Sequence, residues 1–235
     1  PFMLDLNENL EQKQHSSFSE RTDFVSIGNF LHPPNSDVIF YLKNDIWPLI
    51  KSQLPQANLH VYGAYDTQAI RSMHNKKDGF LLHGYVEDAF EVVNSSRVLL
   101  APLRFGAGLK GKLILAMHCG TPAAMSTIAA EGMFGSDQPN GIIEDDPSLF
   151  VKKCIDLYTQ ESLWTEYQNK GDAVLKSRFN KLDHQLKLKE RISLIQSTIQ
   201  SHRSDNFIGQ LLAHHQFQST KYMSRWIEVK NANLK

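Results

Sequence analysis

The sequence predicts an α/β domain: a parallel sheet of six strands with helices on both faces, followed by additional C-terminal helices. Three observations predict it. Short apolar runs of strand length alternate with helical segments at the interval of βαβ units. The run Val98-Leu99-Leu100-Ala101 is continuously apolar, the pattern of a strand buried on both faces of a parallel sheet. From Pro147 onward the pattern is helical almost to the end.

In chain order, residues 7 to 23 are polar and read as linker or surface loop. Phe24-Val25-Ser26-Ile27 is the first strand, stopped by Gly28. A loop runs from Asn29 to Pro34, and Asn35 or Ser36 can cap the helix that follows by accepting from its free N–H groups. That helix carries Val38, Phe40, Tyr41, Leu42, Ile46, Trp47 and Ile50 at mixed spacing, and Pro48 should kink it. Leu59-His60-Val61-Tyr62-Gly63 and Gly79-Phe80-Leu81-Leu82 are the next strands, with a short helix near 66–75 between them. A helix from Glu87 to Val93 leads to the strand Arg97–Ala101, which Pro102 ends because it cannot donate to the ladder. Lys112 to Met117 reads as a helix, and Pro122–Met125 and Gly141–Ile143 as the last strands.

The richest chemistry lies between the fourth strand and its helix: Pro102-Leu103-Arg104-Phe105-Gly106-Ala107-Gly108-Leu109-Lys110-Gly111-Lys112. Gly106, Gly108 and Gly111 permit turns and close backbone approach, and the helix start offers unpaired N–H groups. With Arg104, Lys110 and Lys112 around them, these groups suit a phosphate. The glycines formally match the dinucleotide fingerprint, but that fingerprint should follow the first strand directly, and here it follows the fourth. In a parallel sheet of this kind, ligands sit at the carboxyl ends of the strands, where strand order reverses. The loops after Gly28, Gly63, Leu82, Ala101 and Met125 should therefore share one rim, and His83 stands at a strand end on it.

Composition narrows the classes. Formal net charge is +0, which excludes a polyelectrolyte binder of nucleic acid. From Lys176 to the end, however, eleven Lys/Arg face four Asp/Glu. This basic segment is read first as a solvated helical face and second as a peripheral contact with an anionic membrane. No apolar run reaches spanning length. Cys119 and Cys154 lack metal spacing and suit a reducing compartment. Glu144-Asp145-Asp146 precedes a helix, where acidic residues favour the positive dipole end, so no metal site is assigned. Trp47, Trp164 and Trp226 read as packing residues. The apolar opening Pro1-Phe2-Met3-Leu4-Asp5-Leu6 reads as a cut from something longer.

Several segments, in order and spacing, resemble the nucleotide-binding C-terminal domain of GT-B glycosyltransferases, above all the large retaining family four, or "group one". They are Phe24–Phe30, Pro34-Asn35-Ser36-Asp37, Ile46-Trp47-Pro48, Leu59–Gly63, His83–Asp88, Pro102–Lys112, Ala116–Pro122 and Ala130-Glu131-Gly132. The resemblance covers about residues 23 to 180. It implies a Rossmann-like sheet as the donor-binding half of a metal-independent hexosyltransferase without cofactor, with a glycan, cell-surface polysaccharide or lipid-linked acceptor held by a missing N-terminal half. Residues 1–22 would then be an extension from that missing domain, 23–180 the nucleotide-sugar-binding domain and 181–235 a C-terminal helical extension whose last helix, around 206–229, crosses back. The location implied is cytoplasmic, with peripheral contact at the inner face of the membrane.

Carried over residue by residue, the resemblance implies Arg104 and Lys110 as the catalytic charges on the departing diphosphate. Gly28, Asn29, Gly106, Gly108 and Lys112 would line the phosphates. Tyr85 and Val86 would lie near the nucleobase, Glu131 and Gly132 near the sugar or phosphate, and His83 within reach of the ligand. Where many members have Arg and Lys after the first strand, this chain has Asn29 and Pro34. Where the family usually presents Glu to the ribose hydroxyls, it has Leu115. Two other readings follow: a nucleotide-sugar-binding module without activity, or a nucleotide-sugar epimerase of the same fold.

Overall fold

The computed structural model describes residues 3, 4 and 15–232, the side chains of 214–217 excepted. Most of the expected linker and the side chains of His214 and His215 lie outside the described residues. The chain divides into two compact units, Pro1–Lys181 and Leu182–Lys235.

All six expected strands form in the first unit: β1 (Thr22–Ile27), β2 (Leu59–Tyr62), β3 (Phe80–Gly84), β4 (Ser96–Ala101), β5 (Ala123–Met125) and β6 (Gly141–Ile143). They make one parallel sheet in the order β3-β2-β1-β4-β5-β6. Strand β1 is therefore central, with Phe24 opposite Leu59 on one side and Val98 on the other. The order reverses between β1 and β4, which makes the sheet doubly wound and Rossmann-like. Helices α1 (Pro33–Tyr41) and α2 (Trp47–Gln53) connect β1 to β2, and α3 (Gln68–Arg71) connects β2 to β3. Helices α4 (Ala89–Asn94), α5 (Gly111–His118) and α6 (Thr127–Ala130) make the remaining crossovers, before α7 (Pro147–Thr159) and α8 (Glu161–Arg178). Helix α7 packs with α2, and α8 with α5, so both faces of the sheet are covered.

Two local expectations are corrected. Helix α1 begins at Pro33 with His32 as its N-cap, and not after Asn35 or Ser36. Pro33 and Pro34 supply the reason: their fixed φ suits the first helical turn, and their missing N–H groups need no partner there. The side chains of Asn35 and Ser36 turn instead to the preceding loop, donating to Asn29 O at 2.8 Å and Phe30 O at 2.6 Å. The interruption expected at Pro48 takes the form of a π-helical turn over Leu42–Ile46, in which Trp47 N–H reaches back to Leu42 O.

Beneath the sheet's N-terminal edge lies a buried guanidinium. Arg21 is fully buried, and among the described residues no carboxylate is one of its hydrogen-bond partners. It donates to Ser16 O (2.9 Å), Thr121 Oγ1 (2.6 Å), Cys119 O (2.7 Å) and Asn94 Oδ1 (3.2 Å), and lies over the Trp164 ring. Burial lowers its pKa to about 10, so it stays charged at neutral pH. One side chain thus ties together the turn before β1, the end of α4, the α5–β5 connection and α8.

The second unit comprises most of α9 (Lys181–Ser197), α10 (Ile199–Asp205) and α11 (Phe207–Ala232). Leu186, Ile192, Leu212 and Trp226 are among its exposed apolar side chains.

Removing the Arg21 guanidinium leaves several buried acceptors without donors, at about 1–3 kcal/mol each. Arg21→Met should therefore lower the unfolding free energy of the chain by at least about 3 kcal/mol, read as a fall in the urea midpoint. An unchanged midpoint would refute the tying role.

Candidate functional site

The point where strand order reverses carries a cleft of about 400 Å³. One wall is the end of β1 and the loop into α1: Ile27, Gly28, Asn29, His32, Pro34 and Asn35. The other is the glycine loop after β4 and the first two turns of α5, including Gly106, Lys110, Gly111, Lys112 and Leu115. Each wall is a strand-to-helix connection, so backbone N–H groups and a helix start converge on the cleft, as an anion requires.

Asn35 holds the two walls together. Its amide nitrogen donates to Asn29 O, and its Oδ1 accepts from Lys112 Nζ at 2.9 Å. The amide comes so close to the loop that a Cβ on Gly28 would lie 2.8 Å from Asn35 Cγ. No side chain other than hydrogen fits at position 28 unless Asn35 moves. On the opposite wall Gly108 takes φ +74°, a left-handed conformation that favours glycine, and its carbonyl accepts from Lys110 Nζ at 2.6 Å.

The electrostatics favour an anionic ligand. Lys110 is the N-cap of α5 and is nearly buried, while Lys112 follows in the first turn, which holds no acidic residue. Cations at a helix N-terminus oppose its dipole, so three sources of positive potential meet here. Burial, and secondarily Lys110, lower the Lys112 pKa to about 8. The partner of Lys112 is a neutral amide, and no carboxylate lines the cleft among the described residues. The positive charge is left for a ligand to neutralise.

Comparison with known proteins gives the family. The model for "Glycosyl transferases group 1" matches residues 21–160. The chain belongs to the group 1 glycosyl transferases. A search of curated protein sequences gives no match. Among solved structures, a point mutant of S. aureus TarM in complex with fondaparinux, α-GlcNAc-glycerol and UDP is similar at 16% identity and TM-score 0.60, covering 76% of this chain and 37% of that one. WaaG, a glycosyltransferase involved in lipopolysaccharide biosynthesis, is similar at 15% identity and TM-score 0.58, covering 76% of this chain and 51% of that one. The pneumococcal O-GlcNAc transferase GtfA, in complex with UDP and GlcNAc, is similar at 14% identity and TM-score 0.57, covering 78% and 38%. The chain thus spans from about a third to a half of the length of these proteins. At such identities the likeness speaks for the fold, which is that of a GT-B C-terminal domain. No helix among the described residues is long and apolar enough to cross a membrane.

Within this group 1 glycosyl transferase fold, the residues expected from sequence do not all meet. Gly28, Asn29, Gly106, Lys110 and Lys112 line the cleft, with Gly108 in the loop between them. Arg104 lies outside it, in a smaller pocket with Tyr41, Ser126 and Glu144. Its guanidinium grips the Asp37 carboxylate through two nitrogens and lies 4.9 Å from the centre of the Tyr41 ring. Asp37, ahead of the smaller effect of burial, raises the Arg104 pKa. Glu131 is exposed, and Gly132 stands beside Leu109 of the cleft wall. Tyr85 is exposed beyond β3, and neither it nor Val86 lines the cleft.

His83 belongs to another arrangement. Asp23 at the start of β1, His60 in β2 and His83 in β3 form a hydrogen-bonded chain across three neighbouring strands. Asp23 Oδ2 lies 3.1 Å from His60 Nε2, and His60 Nδ1 lies 2.9 Å from His83 Nε2. The Tyr62 ring stacks on His83 with centroids 4.6 Å apart. Burial alone would raise the Asp23 carboxyl, but hydrogen bonds from His60 and Asn58 outweigh it and hold the pKa below the usual value. Its anion accepts Nε2–H from His60, and the contact between His60 Nδ1 and His83 Nε2 takes its direction from the tautomers of the two rings. Sequence reasoning missed both this chain and the role of Asn35. The alternation in Leu59-His60-Val61-Tyr62 does place His60 and Tyr62 on one sheet face, a signal that was available.

Burial, then the charges of His60 and His74, lower the His83 pKa. The unfolded chain then binds more protons than the folded one, so stability is lost as pH falls below the unfolded histidine value of about 6.5. The melting temperature should drop between pH 7.5 and 5.5, and less so in His83→Gln. Equal drops in the two proteins would exclude His83 as a source.

Proposed function

We propose that the cleft holds the diphosphate of a nucleotide sugar, and that the chain is the donor half of a retaining, metal-independent hexosyltransferase acting on a glycan or cell-surface polysaccharide. The observation that carries this is the Lys112 ammonium at the reversal point of the sheet, held by an amide in a cleft that no carboxylate lines among the described residues. Family membership and the UDP in the TarM and GtfA structures support the same ligand class. The acceptor, glycan or lipid-linked, would be held by a second domain, at the inner face of the membrane in the cytoplasm.

In the transfer itself the C–O bond between the sugar's anomeric carbon and the diphosphate breaks, that carbon bonds to an acceptor hydroxyl oxygen whose proton leaves with the diphosphate, and negative charge grows on the departing oxygens. Lys110, Lys112 and the N–H groups at the start of α5 stabilise that charge, and fixed dipoles of this kind cost no reorganisation. Arg104 adds its charge only by leaving Asp37 or by sharing the guanidinium edge that Asp37 does not occupy. The observation favouring the second reading, a binding module without activity, is Leu115 in the cleft wall. Sugar transfer by a longer protein containing this chain, abolished in its Lys110→Ala variant, would dismiss that reading.

Titration calorimetry of the chain with UDP, GDP, ADP and CMP tests the site. One diphosphate should bind, and Lys112→Met should weaken it at least about tenfold, the scale of one charge-assisted contact. Lys112 must be protonated to hold phosphate, so affinity should stay level below pH 7 and fall as pH rises through about 8. In Lys112→Met that decline should disappear; a decline of the same size would place the titrating group elsewhere.

A further inference from the structure

The amide that holds the Lys112 ammonium can lie in one way only, because each of its neighbours has a fixed hydrogen-bonding sense. An ammonium only donates, and a backbone carbonyl only accepts. Asn35 stands between the two: its Oδ1 accepts from Lys112 Nζ at 2.9 Å, and its Nδ2 donates to Asn29 O at 2.8 Å. A reversed amide would set oxygen against oxygen on one side and N–H against ammonium on the other. The room beside it is used up, since a Cβ on Gly28 would lie 2.8 Å from Asn35 Cγ. The loop that Asn35 grips has a second hold, Ser36 Oγ donating to Phe30 O at 2.6 Å. What Asn35 adds to that hold is the link from the loop to the ammonium.

Helix α1 treats the two cations that flank the glycine loop differently. Asp37 grips Arg104 with a carboxylate, which cancels its charge. Two residues earlier, Asn35 offers Lys112 a neutral acceptor. This contact takes one of the three N–H groups of the ammonium, and two remain for a ligand. We propose that Asn35 is a positioning residue for phosphate: it fixes the Lys112 ammonium against the loop after β1 and leaves its charge to the ligand. The proposal rests on the diphosphate reading above and adds a residue to it. A carboxylate of the same shape would not serve, because it would neutralise the ammonium, turn an oxygen toward Asn29 O and repel phosphate. The other charged or titratable groups around Lys112 are Lys110 on its own helix, His32 in the opposite wall and the Arg104–Asp37 pair at the start of the glycine loop. Exposed Glu131 stands next to Gly132, beside Leu109 of the wall.

Two measurements test the proposal, the first without ligand. In protein with isotopically labelled lysine side chains, NMR follows the titration of Lys112, assigned by the signal lost in Lys112→Met. Asn35→Asp should move the midpoint upward by at least about one pH unit, because an opposite charge favours the charged form. An unmoved midpoint would overturn the proposal, whatever the chain binds. The second is calorimetry with UDP, GDP, ADP and inorganic pyrophosphate in a double-mutant cycle. Asn35→Ala should weaken binding about fivefold in the wild type but less than about twofold in Lys112→Met, where no ammonium is left to place. Equal losses in the two backgrounds would show that Asn35 acts through the loop alone; that would overturn the proposal and leave the diphosphate reading intact. In Asn35→Asp, binding at pH 7 should fall at least about tenfold, and the decline of affinity expected at about pH 8 should move upward with the Lys112 midpoint. A decline that stays at the wild-type pH would overturn the proposal as well. Absence of binding by all four probes to the wild type would overturn the diphosphate reading and this inference with it.

Discussion

Strand β1 has a parallel neighbour on each side, and the chain leaves those neighbours in opposite directions. Right-handed crossovers then send the connections to opposite faces of the sheet, so nothing bridges the gap above the ends of β1 and β4. The cleft is the outcome of that topology. Everything chemical about it, from the exposed N–H groups at the start of α5 to the approach of Asn35, depends on two strand-to-helix loops meeting across a gap that the sheet cannot close. The buried Arg21 network at the opposite edge serves the same geometry, because it fixes the ends of the elements that carry those loops.

The electrostatic arrangement has a cost in the empty state. Two lysines near a helix N-terminus repel each other and oppose the dipole, and burial already makes Lys112 easier to deprotonate. A structural role would have been served by an acid beside them, as Asp37 serves Arg104. The amide of Asn35 does something different: it positions the ammonium without neutralising it. This is a common property of sites whose missing charge comes with the ligand.

The strands were legible because parallel-sheet strands buried on both faces are continuous apolar runs, as in Val98–Ala101. The glycine loop and its lysines were legible because spacing alone brings them to a helix start. Asn35 was misread as a helix cap, since its type suits that role and the sequence does not say that Pro33 and Pro34 have already begun the helix. The Arg104–Asp37 pair joins residues 67 apart, and the Asp23–His60–His83 chain requires the register of three strands. Both are products of tertiary arrangement, which local pattern does not encode.

The π-helical turn at Leu42–Ile46 explains why the first long helix showed no clean amphipathic spacing. Val38, Leu42, Ile46 and Ile50 are all buried, yet they recur every four residues. At 3.6 residues per turn, such a row slips sideways by about 40° at each step. In an unbroken α-helix, Ile50 would end up well away from the face occupied by Val38. The wider turn of the π-helical segment unwinds the helix against that drift, and Trp47 and Ile50 join the same buried core as Val38 and Ile39, with the Trp47 ring against Phe24 of β1. Pro48 fits there because its missing N–H falls where the bonding pattern is changing. The extra residue thus acts as a phase correction: it lets a sequence written with a period of four keep one row of side chains buried in a single core.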